Sequence, residues 1–236
     1  MKSFVFFFLI ALTTPSFAQT IIHDENAEVR NVPAFSGIKV SGGIDIYLSQ
    51  SEDYALAVSA SDQKFRDGIK TEVNNGILII SYDGGNFRLN ANRKLRVYTS
   101  FNKLVSLEAS GASRLIFSNM FEASSVKMEL SDASEIRGTV DISNLVLNIS
   151  GASTVKVSGN VKNLKLNASG ASDVKNYSLI ADNCVAELSG ASDVRITVNE
   201  SLSARATGAS TLYYKGNPQK SDINSSGASN VSQKNP

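Results

Sequence analysis

From Ile38 onward, apolar and polar residues alternate with a period of two: Ile38 and Val40, then Ile44, Ile46 and Leu48 with Asp45, Tyr47 and Ser49 between them. Successive side chains of a strand point to opposite faces, so this pattern predicts strands buried on one side. Tyr54 to Val58, Ile69 to Val73, Ile77 to Ile79, Leu95 to Tyr98 and Leu104 to Leu107 read the same way. Asn74-Asn75-Gly76 separates two of these runs, and Asn-Gly accepts the positive φ that a tight hairpin demands. Asp83-Gly84-Gly85 marks another turn. No long helical period follows residue 18, so 35–103 is expected to be an irregular N-terminal β portion containing a hairpin.

Over 104–236 the alternation settles on a recurring phrase. It reads Ser110-Gly111-Ala112-Ser113, Ser131-Asp132-Ala133-Ser134, Ser150-Gly151-Ala152-Ser153, Ser169-Gly170-Ala171-Ser172, Ser189-Gly190-Ala191-Ser192, Thr207-Gly208-Ala209-Ser210 and Ser226-Gly227-Ala228-Ser229. Copies start 21, 19, 19, 20, 18 and 19 residues apart, the mark of a solenoid whose coils stack. Aligned on the last Ser of each phrase, the second residue after it is always apolar: Leu115, Ile136, Val155, Val174, Val194, Leu212 and Val231. Six residues before it stand Leu107, Met128, Leu147, Leu166, Ala186, Ala204 and Ile223; eight before it stand Val105, Val126, Leu145, Leu164, Cys184, Leu202 and Ser221. Even offsets share a strand face, so these columns are expected to point into the coil. The expected fold is all-β: a right-handed parallel β-helix-like solenoid of about 19–21 residues per coil. Asn144, Asn163 and Asn183 form a further column that predicts a corner ladder, and Gly138 and Gly159 mark another corner. Whether the Ser residues of the phrase face in or out depends on whether the bend resets the alternation, and the sequence leaves both open.

The odd offsets carry the polar chemistry. Glu108, Glu129, Asn148, Asn167, Glu187, Arg205 and Asn224 form one outward column before the phrase. After it, Asp173 and Asp193 stack beside Lys156, Lys175 and Arg195, and this group, with Tyr213 and Tyr214, is the candidate interaction surface. Paired carboxylates near cations are also what β-helix polysaccharide lyases and hydrolases need. Alternating acidic and basic columns equally offset like-charge stacking on a soluble rod. Two carboxylates without further oxygen donors make a poor Ca²⁺ site, and the sole histidine, His23, lies far from the repeat in sequence. No catalytic residue, metal or cofactor is therefore assigned.

Three further features bound the role. Met1 to Ala18 has one Lys, an apolar run from Phe4 to Leu12, Pro15, and small residues at Ser16 and Ala18, the order of a signal peptide. This predicts export to the periplasm, outer-membrane surface or exterior, with 19–34 as a leader and 35–236 as one elongated domain. No later apolar segment is long enough to span a bilayer. A formal charge of +1 argues against non-specific nucleic-acid binding. The lone Cys184 cannot form an intramolecular disulfide and falls in an apolar column, as a buried thiol would.

A strand entering through Phe35-x-x-Ile38-x-Val40-x-Gly42 into Gly43-Ile44-Asp45-Ile46, the run Ile69 to Ile79 and the serial phrases together resemble the auto-transporter adhesin family with a head GIN domain. Asp45 stands where the family's name has Asn. The resemblance implies a pectin-lyase-like β-helix without a preserved catalytic set, and a part in adhesion. Three readings follow: a non-catalytic binding or adhesion-type protein of the envelope or cell surface, whose partner would be a glycan or protein of the envelope or a host; a polysaccharide-active enzyme; and a structural envelope component without a discrete ligand.

Overall fold

The computed structural model describes residues 24–84 and 92–234, and the side chain of Asn176 is left aside. The expected signal peptide, His23 and Gly85 lie outside the described residues. In chain order the strands begin with β1 (Glu28–Arg30), β2 (Gly37–Val40), β3 (Asp45–Gln50) and β4 (Ala55–Ser59). A five-residue helix, α1 (Gln63–Asp67), leads to β5 (Ile69–Asn74), β6 (Ile77–Tyr82), β7 (Arg96–Phe101), β8 (Ser106–Ala109) and β9 (Arg114–Phe117). Then come β10 (Phe121–Leu130), β11 (Glu135–Ile149), β12 (Thr154–Ala168), β13 (Asp173–Leu188) and β14 (Asp193–Ala206), and last β15 (Thr211–Lys215), β16 (Lys220–Ser225) and β17 (Asn230–Gln233). The chain forms a β-solenoid of about 7 turns with irregular N-terminal strands.

From β8 onward the coils stack in parallel, in register on either side of the turns, with register shifts between Val155 and Gly159 and between Lys175 and Ile180. Leu145, Leu164, Cys184 and Leu202 stand in one column, and Leu147, Leu166, Ala186 and Ala204 in another. All are buried, as are Leu130, Ile149, Ala168, Leu188 and Ala206 two residues further on. Val140, Ile142, Val161, Leu179 and Val198 fill the short third side. Before the terminal coil, one apolar residue departs from its column: Val105 is 56% exposed while Leu104 is buried in its stead. Its N–H donates to the Ser36 carbonyl before β8 begins, so the chain enters that coil one residue out of phase.

The phrase resolves into a defined turn. Its Gly adopts positive φ, between 61° and 73° in Gly111, Gly151, Gly170, Gly190, Gly208 and Gly227. The following Ala donates its N–H to the carbonyl of the preceding coil's Gly, at 2.7 Å for Ala171 and Ala191 and 2.8 Å for Ala209 and Ala228. The turn resets the alternation and sends the last Ser inward. Ser113, Ser134, Ser153, Ser172, Ser192 and Ser210 are all buried. From Ser153 onward the hydroxyl donates to the carbonyl of the phrase's own first residue, at 2.8 Å in Ser153 and Ser210 and 3.1 Å in Ser192. A polar group at 0–1% exposure is thus satisfied within its own turn. Asp132 takes the Gly position with φ 61°, and its carboxylate accepts from the Gly111 N–H at 3.0 Å. The Asn ladder is present: Asn163 donates to Asn144 at 3.0 Å, Asn183 to Asn163 at 3.3 Å, and Ser201 to Asn183 at 2.6 Å.

The N-terminal coils stack out of chain order. β2 and β3 lie beneath β8 and β9, pairing Ile38 with Leu107 and Ile46 with Leu115. β6 and β7 lie beneath β2 and β3, again in parallel. The outer strands run antiparallel, β5 on β6 through the Asn75-Gly76 hairpin, β4 on β7, and β1 on β4. β1 falls inside the expected leader, where three residues are too few to show a period. Phe101, Phe117 and Phe121 fill the core where the irregular and regular coils meet, with centroids 4.9 and 5.7 Å apart. At the other end the side chains of β16 are exposed, including Ile223 at 38%.

Two outcomes test this packing. Gly159 has φ +114°, and a Cβ there would lie 2.0 Å from the Val140 carbonyl oxygen, whereas at Gly43, φ +72°, it would meet only the Gly111 carbonyl oxygen at 3.8 Å. In urea titrations Gly159→Ala should cost about 3 kcal/mol and Gly43→Ala about 1 kcal/mol. Burial pushes the Cys184 thiol up to about 12, so iodoacetamide at pH 8 should leave the native protein unlabelled and modify it only after unfolding.

Candidate functional site

Two polar surfaces flank the stacked turns. The first follows each turn, at the starts of β9 and β11 to β15, and carries the residues singled out from the sequence. Asp173 stacks on Asp193 and Lys175 on Arg195 in adjacent strands. Each acid holds a cation two residues along its own strand: Lys175 Nζ lies 2.9 Å from Asp173 Oδ2, and Arg195 Nη2 lies 3.0 Å from Asp193 Oδ2. Lys156 reaches across one coil to Glu135 at 3.1 Å, and Glu135 also holds Arg137 at 3.0 Å. Each of these carboxylates is therefore ion-paired on an outward strand face, an arrangement unlike a general acid and base set around a bond. Tyr213 faces out, with Lys234 Nζ 4.0 Å from its ring centroid. Tyr214 does not join it, because the next position in the strand points inward and leaves that ring 8% exposed in the core.

The same face continues into coils that chain order conceals. Asp45 lies beside Arg114 and accepts two hydrogen bonds from it, Nε at 2.7 Å and Nη2 at 2.6 Å. That pairing holds the Arg114 guanidinium above its ordinary range. Arg96 and Tyr98 lie on the next strand out, where the Tyr47 and Tyr98 rings stack at 5.1 Å. Asp24 ties the N-terminal segment to this corner, accepting from Tyr98 at 2.9 Å and pairing with Arg96 at 3.5 Å. Burial and then the Asp24 contact push the Tyr98 hydroxyl up to about 12. For Asp24 burial acts upward, but hydrogen bonds from Ser59, Tyr98 and Asn26 and the Arg96 charge outweigh it, so its carboxyl is held below 3.8. The one sequence clue to this extension is Ser41-Gly42-Gly43-Ile44, a degenerate copy of the turn phrase whose backbone sits under Ser110 to Arg114.

The second surface precedes each turn and is concave. Its groove encloses about 740 Å³. Glu108, Glu129, Asn148, Asn167, Glu187 and Arg205 line it one per coil, with Ser131, Ser150, Ser169, Ser189 and Thr207 along one wall. Asn148 donates to Glu129 at 3.2 Å and Asn167 to Asn148 at 2.8 Å, so the amides all point the same way. Asn167 Oδ1, the far end of that ladder, is buried without a donor. Lys127, bonded to Glu129 at 2.8 Å, is the main reason the Glu129 carboxyl lies below its ordinary value and stays ionised. The column was visible in the sequence; its concavity was not, because it arises from the bend between successive sides. Among the described residues no three His, Cys, Asp or Glu side chains gather as a metal ion would require.

The family model for the "Putative auto-transporter adhesin, head GIN domain" matches residues 34–218. The chain belongs to this family. A search of curated proteins finds no match. Among solved structures, a Bacteroides fragilis protein described as a putative adhesin superposes with TM-score 0.80 at 19% identity, covering 88% of this chain and 96% of its own. A Parabacteroides merdae protein of the same description gives 0.63 at 17% identity, covering 87% and 95%. A Parabacteroides distasonis protein described as a putative lipid binding protein gives 0.64 at 19% identity, covering 89% and 98%. At these identities the likeness concerns the fold. No helix among the described residues is long and apolar enough to cross a membrane.

The Asp24 corner has a defined acid dependence. A carboxyl held below its unfolded value adds stability above that value, and the contribution is lost as pH falls through the folded one. Asp24→Asn should therefore be less stable than the parent by about 1 kcal/mol at pH 7, with the difference closing below about pH 4 when thermal unfolding is followed across pH.

Proposed function

We propose that this family member is an exported, non-catalytic binding protein of adhesion type that takes an extended glycan of the envelope or of a host surface along its concave groove. The observation that carries the reading is the groove itself: hydrogen-bonding side chains repeat once per coil over six coils, and the stacked carboxylates among them, Glu108 and Glu129, are each held by a lysine, Lys39 and Lys127. A repeating polymer of hydroxyl-bearing units meets such a ladder with several equivalent contacts, each weak and together specific. The opposite face, with Asp173, Asp193, Lys156, Lys175, Arg195 and Tyr213, is the second surface open to a partner. Its ion pairs also account for the stacking of like charges there, at tenths of a kcal/mol each. Family membership supports adhesion and surface placement, and the signal-like N-terminus supports export.

A glycan array followed by titration of the strongest hit tests this. Asn148→Ala with Asn167→Ala should weaken binding about tenfold, while Lys156→Ala, Lys175→Ala and Arg195→Ala combined should leave it unchanged. Loss only in the triple variant would move the site to the charged face. Release of reducing or unsaturated ends from the bound glycan would replace the reading with an enzymatic one.

A further inference from the structure

A second pocket, of about 390 Å³, lies where the N-terminal coils pass beneath the first regular turn. Arg93, Lys94, Arg96 and Arg114 line it against a single lining carboxylate, Asp45. Asp45 pairs with Arg114 and Asp24 with Arg96 at 3.5 Å, and Lys94 adds a cation beyond these pairs, a local excess in a chain whose formal net charge is only +1. Elsewhere on this face Asp173, Asp193 and Glu135 neutralise the neighbouring Lys and Arg side chains. Here the acids fall short. Arg114 commits Nε and Nη2 to Asp45, which leaves its remaining amino group as a donor, and Lys94 is exposed with no ion pair among the described residues. The backbone at Gly43 borders the same space, and a Cβ added there would meet nothing closer than 3.8 Å. Two residues beyond Asp45 and Arg96 stand the stacked Tyr47 and Tyr98 rings.

We propose that this pocket binds the anionic substituent, sulfate or carboxylate, of an acidic polysaccharide, with Lys94, Arg96 and Arg114 as its donors and the Tyr47–Tyr98 pair beside it for the sugar ring. Guanidinium groups suit planar and tetrahedral oxyanions, and aromatic rings next to cations suit a charged sugar over a free inorganic ion. The pocket is separate from the concave groove and does not depend on it.

The full chain is titrated with dextran sulfate, polygalacturonate, neutral dextran, inorganic sulfate and phosphatidylglycerol vesicles. Dextran sulfate or polygalacturonate should bind, weakening steeply with salt, and neutral dextran should not. Lys94→Glu, an exposed change that leaves the core untouched, should weaken binding about fivefold, and Lys156→Glu, on the same face but away from the pocket, less than twofold. Equal losses in both variants, no loss in Lys94→Glu, no preference for the charged polymers, or tighter binding to inorganic sulfate or to the vesicles would each overturn the assignment.

Discussion

The structure rests on one hydrogen bond repeated at the turns from Ala152 onward, from the Ala N–H of one coil to the carbonyl of the Gly, or of Asp132, beneath it. Between strands the backbone ladder is self-sustaining, but a turn has no strand neighbour, and its polar groups need a partner. Stacking turn on turn supplies it only if the lower carbonyl can approach closely. A Cβ on Gly170 or Gly190 would lie 2.6 Å from that oxygen, so a small residue is a condition of the stack as much as of the bend. The buried Ser closes each turn on itself, and the phase reset at Gly-Ala makes the next residue but one apolar and inward. Register in the core and register at the turn are therefore one constraint. That is why Leu, Val and Cys columns stay aligned although coils differ in length by up to three residues.

Surface chemistry follows from that register. Because like positions stack at about 4.8 Å, any charged column would repel itself unless the strand supplied a counter-charge two residues away. The Asp173–Lys175 and Asp193–Arg195 pairs meet this need. Before the turn the chain uses another device, following the Glu108 and Glu129 carboxylates with two amides so that Asn148 donates to Glu129 and Asn167 to Asn148. The first arrangement spends its charges internally. The second leaves Asn167 Oδ1 buried without a donor, and the basic corner at Arg114 leaves donors open.

Much of the fold was legible because a strict period exposes itself. The apolar columns, the Asn144–Asn163–Asn183 ladder and the Asn75-Gly76 hairpin all appear as read. Val105 and Tyr214 show where periodicity stops helping: one sits at a coil entry that runs out of phase, and the other lies one position past an outward aromatic. The N-terminal stacking was not legible. β2 and β3 precede β6 and β7 in the chain yet lie between them and the regular coils, and nothing local encodes which of two similar edges a strand will join. The basic pocket depends on that non-sequential stacking, which brings Asp45 and Arg114 together across 69 residues. The groove column was legible as residues but not as a concave surface, since curvature belongs to the coil and not to any one copy.

The claim that turn-to-turn bonding holds the register is most directly measured by native-state amide hydrogen exchange at Ala171, Ala191 and Ala209. The account predicts protection at these three turn amides comparable to that of the core-strand amides of Leu166, Ala186 and Ala204. Exchange at the rate of exposed turns, with the strands still protected, would contradict it and leave the strands alone as the source of register.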